Sequence, residues 1–116
     1  MKASIQLITI FMGVALSGAA SAASFPCNKA QLRSEKTICQ TLSLNDADVK
    51  MATTYNIILH ALPMGGRDSE KGAQYQWLKQ RNACGSNVSC LTASYASRQQ
   101  HLDSIIQNRI LSQGPF

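Results

Sequence analysis

Apolar side chains return at helical intervals through most of the chain. In "SLNDADVKMATTYNIILHAL" they fall at Leu44, Ala47, Met51, Tyr55, Ile58 and Leu62, with gaps of 3, 4, 4, 3 and 4, which keeps them on one face of a helix. Ser43 stands at the predicted N-cap, and Asp46 three residues on reads as its capping-box partner. Pro63 and Gly65-Gly66 predict the stop. The linker "PMGGRD" is short, so the next helix is expected to run back antiparallel. That helix is predicted over 69–83, with Ala73, Trp77 and Leu78 inward and Tyr75 partly exposed. Cys84-Gly85 ends it. Ser86 or Asn87 can cap a third long helix over 88–112, whose stripe is Val88, Leu91, Tyr95, Leu102, Ile105 and Arg109, with Ile106 and Ile110 beside it. Gly114-Pro115 is a helix stop. "KAQLRSEKTIC" predicts a shorter helix near the start. No strand alternation and no internal repeat appear. The expected fold is all-α: a small helical bundle of one short N-terminal helix plus three longer ones.

The first 22 residues break this pattern. One charge, Lys2, precedes an apolar run from Ile5 to Ala20, and small residues follow, Ala20-Ser21-Ala22-Ala23. This is the layout of a cleaved secretory signal peptide, and the run is shorter than the ~20 residues of a spanning helix, so no stable membrane anchor is expected. Cleavage after Ala22 satisfies the small-x-small rule, and cleavage after Ala23 does so nearly as well. Phe25-Pro26 before Cys27 argue against lipidation. Residues 23–116 remain as one small domain in the periplasm or outside the cell.

Export changes the reading of the cysteines. All four, Cys27, Cys39, Cys84 and Cys90, lie in the mature part, and an even count in an oxidising compartment reads as disulfides. Three pairings exist; Cys27–Cys39 and Cys84–Cys90 are favoured because each pair brackets a short segment with a turn. C-x11-C and C-x5-C fit structural zinc knuckles poorly, and no C-x-x-C redox motif is present.

Charge and chemistry narrow the function classes. The chain carries 11 Lys+Arg against 6 Asp+Glu, dispersed as on a solvated surface, with no basic run interleaved with aromatics for nucleic acid. His60 and His101 stand alone, without ligand or catalytic spacing. No base, nucleophile and orienting group assemble, no phosphate loop is present, and so short a chain needs most of its apolar surface for its core. No enzyme activity, cofactor or metal is expected. Trp77, Tyr55 and Tyr95 sit at core spacing. Arg81 and Arg98 lie near the second cysteine pair, either paired with carboxylates or helix ends or solvated.

Taken together, three blocks resemble the LprI-like lysozyme-inhibitor domain family of exported bacterial proteins. "FPCNKAQLRSEKTIC" carries Phe25, Cys27, Ala30, Glu35, Lys36, Ile38 and Cys39 of its first motif. "LNDADVKMATTY" carries Leu44, Asp48, Met51 and Tyr55, with Ala47 where the family prefers leucine. "QYQWLKQRNACGSNVSCLTASYASR" carries Gln74, Trp77, Leu78, Arg81, Cys84, Cys90, Leu91, Tyr95 and Arg98. The resemblance spans about residues 25–98. It implies a helical, disulfide-bearing exported domain in which Glu35, Asp48, Tyr55, Trp77, Arg81, Tyr95 and Arg98 are scaffold.

The resemblance also implies a protein partner, a lysozyme or another cell-wall hydrolase that the chain would bind and inhibit. Immunity against another hydrolase or toxin, an envelope-stress role, and a structural envelope role without an enzyme target are the alternatives. Lysozymes are commonly basic, as this chain is, and like charges slow encounter. An acidic patch is therefore expected to make the contact, drawn from Glu35, Asp46 and Asp48, with Asp68 and Glu70 on an exposed loop, where binding residues collect.

Overall fold

The computed structural model describes residues 23–113; the predicted signal segment 1–22 and the predicted stop at Gly114-Pro115 lie outside them. After a single 3-10 turn at Cys27–Lys29 come four helices: α1 (Arg33–Gln40), α2 (Leu42–Ala61), α3 (Met64–Ala83) and α4 (Val88–Ile105). The last runs on through a wider π turn (Ile106–Ile110) into a 3-10 turn (Leu111–Gln113). The described residues contain no strand. The fold is all-α, and none of these helices is long and apolar enough to cross a membrane.

Side-chain contacts set the directions. Asp48 and Thr54 of α2 meet Tyr95 and Gln99 of α4, so α2 and α4 run parallel. On α3, Arg81 lies at the Asp48 end, while Gln74 touches Met51 and Arg67 reaches Leu59, so α3 returns antiparallel to α2. The core lies where the three meet: Leu44, Met51 and Ile58 from α2, Trp77 from α3, and Leu91, Tyr95, Leu102 and Ile105 from α4. Ile38 of α1 closes one end.

Disulfides join Cys27 to Cys39 and Cys84 to Cys90. The first ties the N-terminal segment to α1, and the second pinches the α3–α4 turn. Each closes a short loop, for which the chain-entropy model gives about 2–3 kcal/mol. Gly85 adopts φ +58° directly after α3, the left-handed closure at which a side chain would be strained. Asn87 then caps α4, its Oδ1 accepting from the Cys90 amide at 3.0 Å.

Two helix starts differ from expectation. α2 begins at Leu42, its first turn closing on the Thr41 carbonyl at 2.9 Å from the Asn45 amide. Ser43 is therefore inside the helix, no side chain caps it, and the Ser43–Asp46 capping box does not form. The reason is that α1 extends to Gln40, leaving Thr41 as the only extended residue between the two helices.

α3 begins at Met64, not near residue 69, with Pro63 as its N-cap. A proline there suits a helix start, because its fixed φ continues into the first turn and no amide is lost. The α2–α3 connection thus shrinks to Leu62-Pro63, and Gly65-Gly66 become first-turn residues. Gly66 has a packing reason: a Cβ there would stand 3.0 Å from the Arg109 guanidinium and 3.5 Å from Leu62. α2 stops at Ala61, just before Pro63 as expected, and Arg67 completes its end. Its Nε donates to the Leu59 carbonyl at 2.8 Å, satisfying an end-of-helix acceptor with a cation at the negative end of the dipole.

Candidate functional site

Asp48, Gln74, Arg81, Tyr95 and Arg98 converge inside the bundle. Asp48 is fully buried. Its Oδ1 accepts from the Tyr95 hydroxyl at 2.7 Å and its Oδ2 from the Ser24 amide at 2.6 Å. The Tyr95 oxygen in turn accepts from Arg81 Nη1 at 3.2 Å, which lies 3.8 Å from Asp48. The other donors of Arg81 go to the Asn82 side-chain oxygen at 3.1 and 2.9 Å, and that oxygen also accepts from the Ser34 hydroxyl of α1. The guanidinium lies between the rings of Phe25 and Trp77, at 5.6 and 5.7 Å. Trp77 meets Tyr95 edge-on at 5.1 Å and donates Nε1–H to the Ser94 carbonyl at 3.1 Å. One network therefore joins the N-terminal segment, α1, α2, α3 and α4.

A second network lies farther along α3. Glu70 and Arg98, both buried, approach to 3.7 Å. Arg98 Nε donates to Gln74 at 3.0 Å, and Gln74 donates to the Met51 sulfur at 3.3 Å. Burial lowers the guanidinium pKa of Arg98, with Glu70 opposing that drop. Burial raises the phenol of Tyr55 beside this pair, and Arg98 partly offsets the rise.

These geometries correct the acidic patch. Asp48 is sealed inside the bundle. Glu70 is buried on α3 and ion-paired, because α3 starts five residues earlier than expected and turns the supposed loop into helix. Asp68 is exposed, but on a helix. Glu35 is half-buried and its carboxylate accepts from the Leu32 amide at 3.3 Å, restraining the start of α1. Asp46 remains exposed and free of capping. Arg81 and Arg98 are paired in the interior rather than solvated. His60 is exposed and bonded to the Asn56 carbonyl at 2.7 Å, and His101 lies 3.8 Å from Glu70 at the rim. Among the described residues no group of three His, Cys, Asp or Glu side chains gathers as a metal site.

Burial of Tyr95 pushes its phenol well above the ordinary value; Asp48 adds to the rise and Arg81 opposes it. The neutral phenol is thus favoured by folding. That stability is complete below the unfolded tyrosine pKa of about 10 and is lost as pH climbs from there toward the folded value. Unfolding free energy from urea titrations should fall above about pH 10, and Tyr95→Phe should fall less steeply. Equal slopes would show that Tyr95 ionises as freely folded as unfolded.

The outward face of α3 was not anticipated. Lys71, Tyr75 and Lys79 are all exposed, at i, i+4 and i+8, so they form one stripe. Tyr75 is 58% exposed, and the Lys79 ammonium sits 4.6 Å from its ring centre. The sequence signal was present in "KGAQYQWLK", within the predicted helix. Between α3 and α4 an open groove is lined by Ala73, Gln76, Trp77, Ser97, Arg98 and His101; it gathers no catalytic set. Set against family models, characterised proteins and solved structures, the chain finds no match.

Proposed function

We propose that this is an exported, non-enzymatic binding protein that inhibits a cell-wall hydrolase of the lysozyme type through the outer face of α3. The observation that carries the reading is the Lys71–Tyr75–Lys79 stripe, an exposed aromatic flanked by two cations on a rigid helix. Tyrosine is favoured at binding hot spots, and the bundle beneath holds it in place. The charged groups within the bundle are paired with one another, Asp48 with Arg81 and Glu70 with Arg98, so the surface is what remains available for a partner.

The charge objection dissolves at this scale. Glycoside hydrolases cleave with a pair of carboxylates, so even a basic lysozyme carries a negative cleft, and two lysines offered there find local complementarity. Glu35, Asp46 and Asp68 play at most a minor part in this reading, and Glu70 none. The oxidised protein should inhibit wall lysis at micromolar concentration. Lys71→Glu and Lys79→Glu together should weaken inhibition by about tenfold or more and reduce its salt sensitivity. Wild-type protein without effect on any of a panel of lysozymes would remove the reading; inhibition unaltered by the double variant would move the contact off α3.

A further inference from the structure

We propose that Ser24 is the amino terminus of the mature protein and that its α-ammonium is the counter-ion of the buried Asp48. The inference rests on the export reading above. The Asp48 carboxylate is fully buried, and burying a carboxylate is costly unless it is paired. Its nearest side-chain cation, Arg81, stands 3.8 Å from Oδ1, beyond hydrogen-bond reach, and directs its closest donors elsewhere. Oδ1 has the Tyr95 hydroxyl. Oδ2 has the Ser24 nitrogen, at 2.6 Å. Of the donors on this carboxylate, the Ser24 nitrogen is the nearest.

In the uncut chain this nitrogen is an amide and brings no charge. Hydrolysis of the Ala23–Ser24 bond by an envelope peptidase adds water across it. Ala23 leaves as a carboxylate with the leader, and the released Ser24 amine takes up a proton. Ser21 and Ala23 are the small residues such a cut requires. Cutting one bond earlier would keep the Ser24 nitrogen an amide and place the new charge on Ala23, which is buried. Ser24 itself is exposed, so the ammonium donors not facing Asp48 can stay hydrated. Arg81 and the ammonium address different carboxylate oxygens, which keeps the two cations apart. Phe25 against Arg81 and the Cys27–Cys39 disulfide hold the segment at the site.

The test has two arms. The full chain is expressed with its own leader, and the exported product is read by N-terminal sequencing and intact mass. A product starting at Ser24 is expected. A start at any other residue overturns this inference alone, whereas an uncut chain overturns the export reading with it. In the second arm, protein released from a cleavable fusion to begin at Ser24 is compared with the same chain carrying Ala23 and with its Nα-acetylated form. Each modified form should melt lower by about 4–8 °C, and Asp48→Asn should abolish the differences. Equal melting of the three wild-type forms overturns the ion pair, without relying on the Asp48 variant to fold.

Discussion

Trp77→Ala is expected to cost about 3–5 kcal/mol, the usual range for deleting a large buried aromatic. Trp77 is 7% exposed and is the only tryptophan in the chain. It fills the space between α3 and α4, with Tyr95 edge-on to its ring, Arg81 over its face and its indole N–H on the Ser94 carbonyl. Truncation would remove the transfer energy of the indole and leave a cavity beside a guanidinium that then has one ring instead of two. Water entering there would loosen the Arg81–Tyr95–Asp48 network as well, so the loss should fall toward the upper end. Trp77→Phe keeps most of the volume and should cost about half as much. A domain's net stability is about 5–15 kcal/mol, so the alanine variant should show a much lower urea midpoint. In the wild type the fluorescence should be blue-shifted and poorly quenched by iodide. A loss below about 1 kcal/mol would mean that the bundle closes over the gap and that Trp77 is not its keystone.

The helical faces were legible because burial follows period: Leu44, Met51, Ile58, Leu91, Tyr95, Leu102 and Ile105 are all interior. Val88 and Arg109 share the α4 stripe yet are exposed: Val88 opens the first turn of α4, and the π turn over Ile106–Ile110 shifts the register before Arg109. The helix starts were harder to read. Ser43-Asp46 has capping chemistry, but the neighbouring helix left only Thr41 for the turn. Gly65-Gly66 has breaker chemistry, but Pro63 had already fixed the turn, and close packing on Leu62 and Arg109 makes one of the glycines useful inside the helix. The earlier start also places Asp68 on a helix, whereas the Lys71–Tyr75–Lys79 stripe lies within the predicted helix as well, on its exposed face. The same limit applies to the carboxylates. A charge's partner is set by three-dimensional neighbours, and Asp48 with Ser24, or Glu70 with Arg98, lie 24 and 28 positions apart in the chain.

The Glu70–Arg98 pair should show the other large effect, and with an unequal cost on its two sides. Both groups are buried, at a separation of 3.7 Å that is attractive but not hydrogen-bonded. Removing one partner strands a charge away from water, which typically costs 3–5 kcal/mol. After Glu70→Leu, Arg98 keeps only the neutral Gln74 oxygen, so this variant should reach that range. After Arg98→Met, the Glu70 carboxylate still has His101 at 3.8 Å, a ring 53% exposed that can turn inward and donate a hydrogen bond. That variant should cost about 2–3 kcal/mol, below the usual figure for a stranded charge. Combining Glu70→Leu with Arg98→Met replaces the pair by apolar side chains and should lie within about 1 kcal/mol of wild type, because no stranded charge remains and the desolvation penalty is gone. Urea denaturation of the four proteins at one pH gives the coupling energy directly. Coupling near zero would mean that each group is solvated independently and that the pair contributes nothing to holding α3 against α4. A double variant no more stable than the worse of the two singles would show that the site needs the shape of these two side chains as well as their charge.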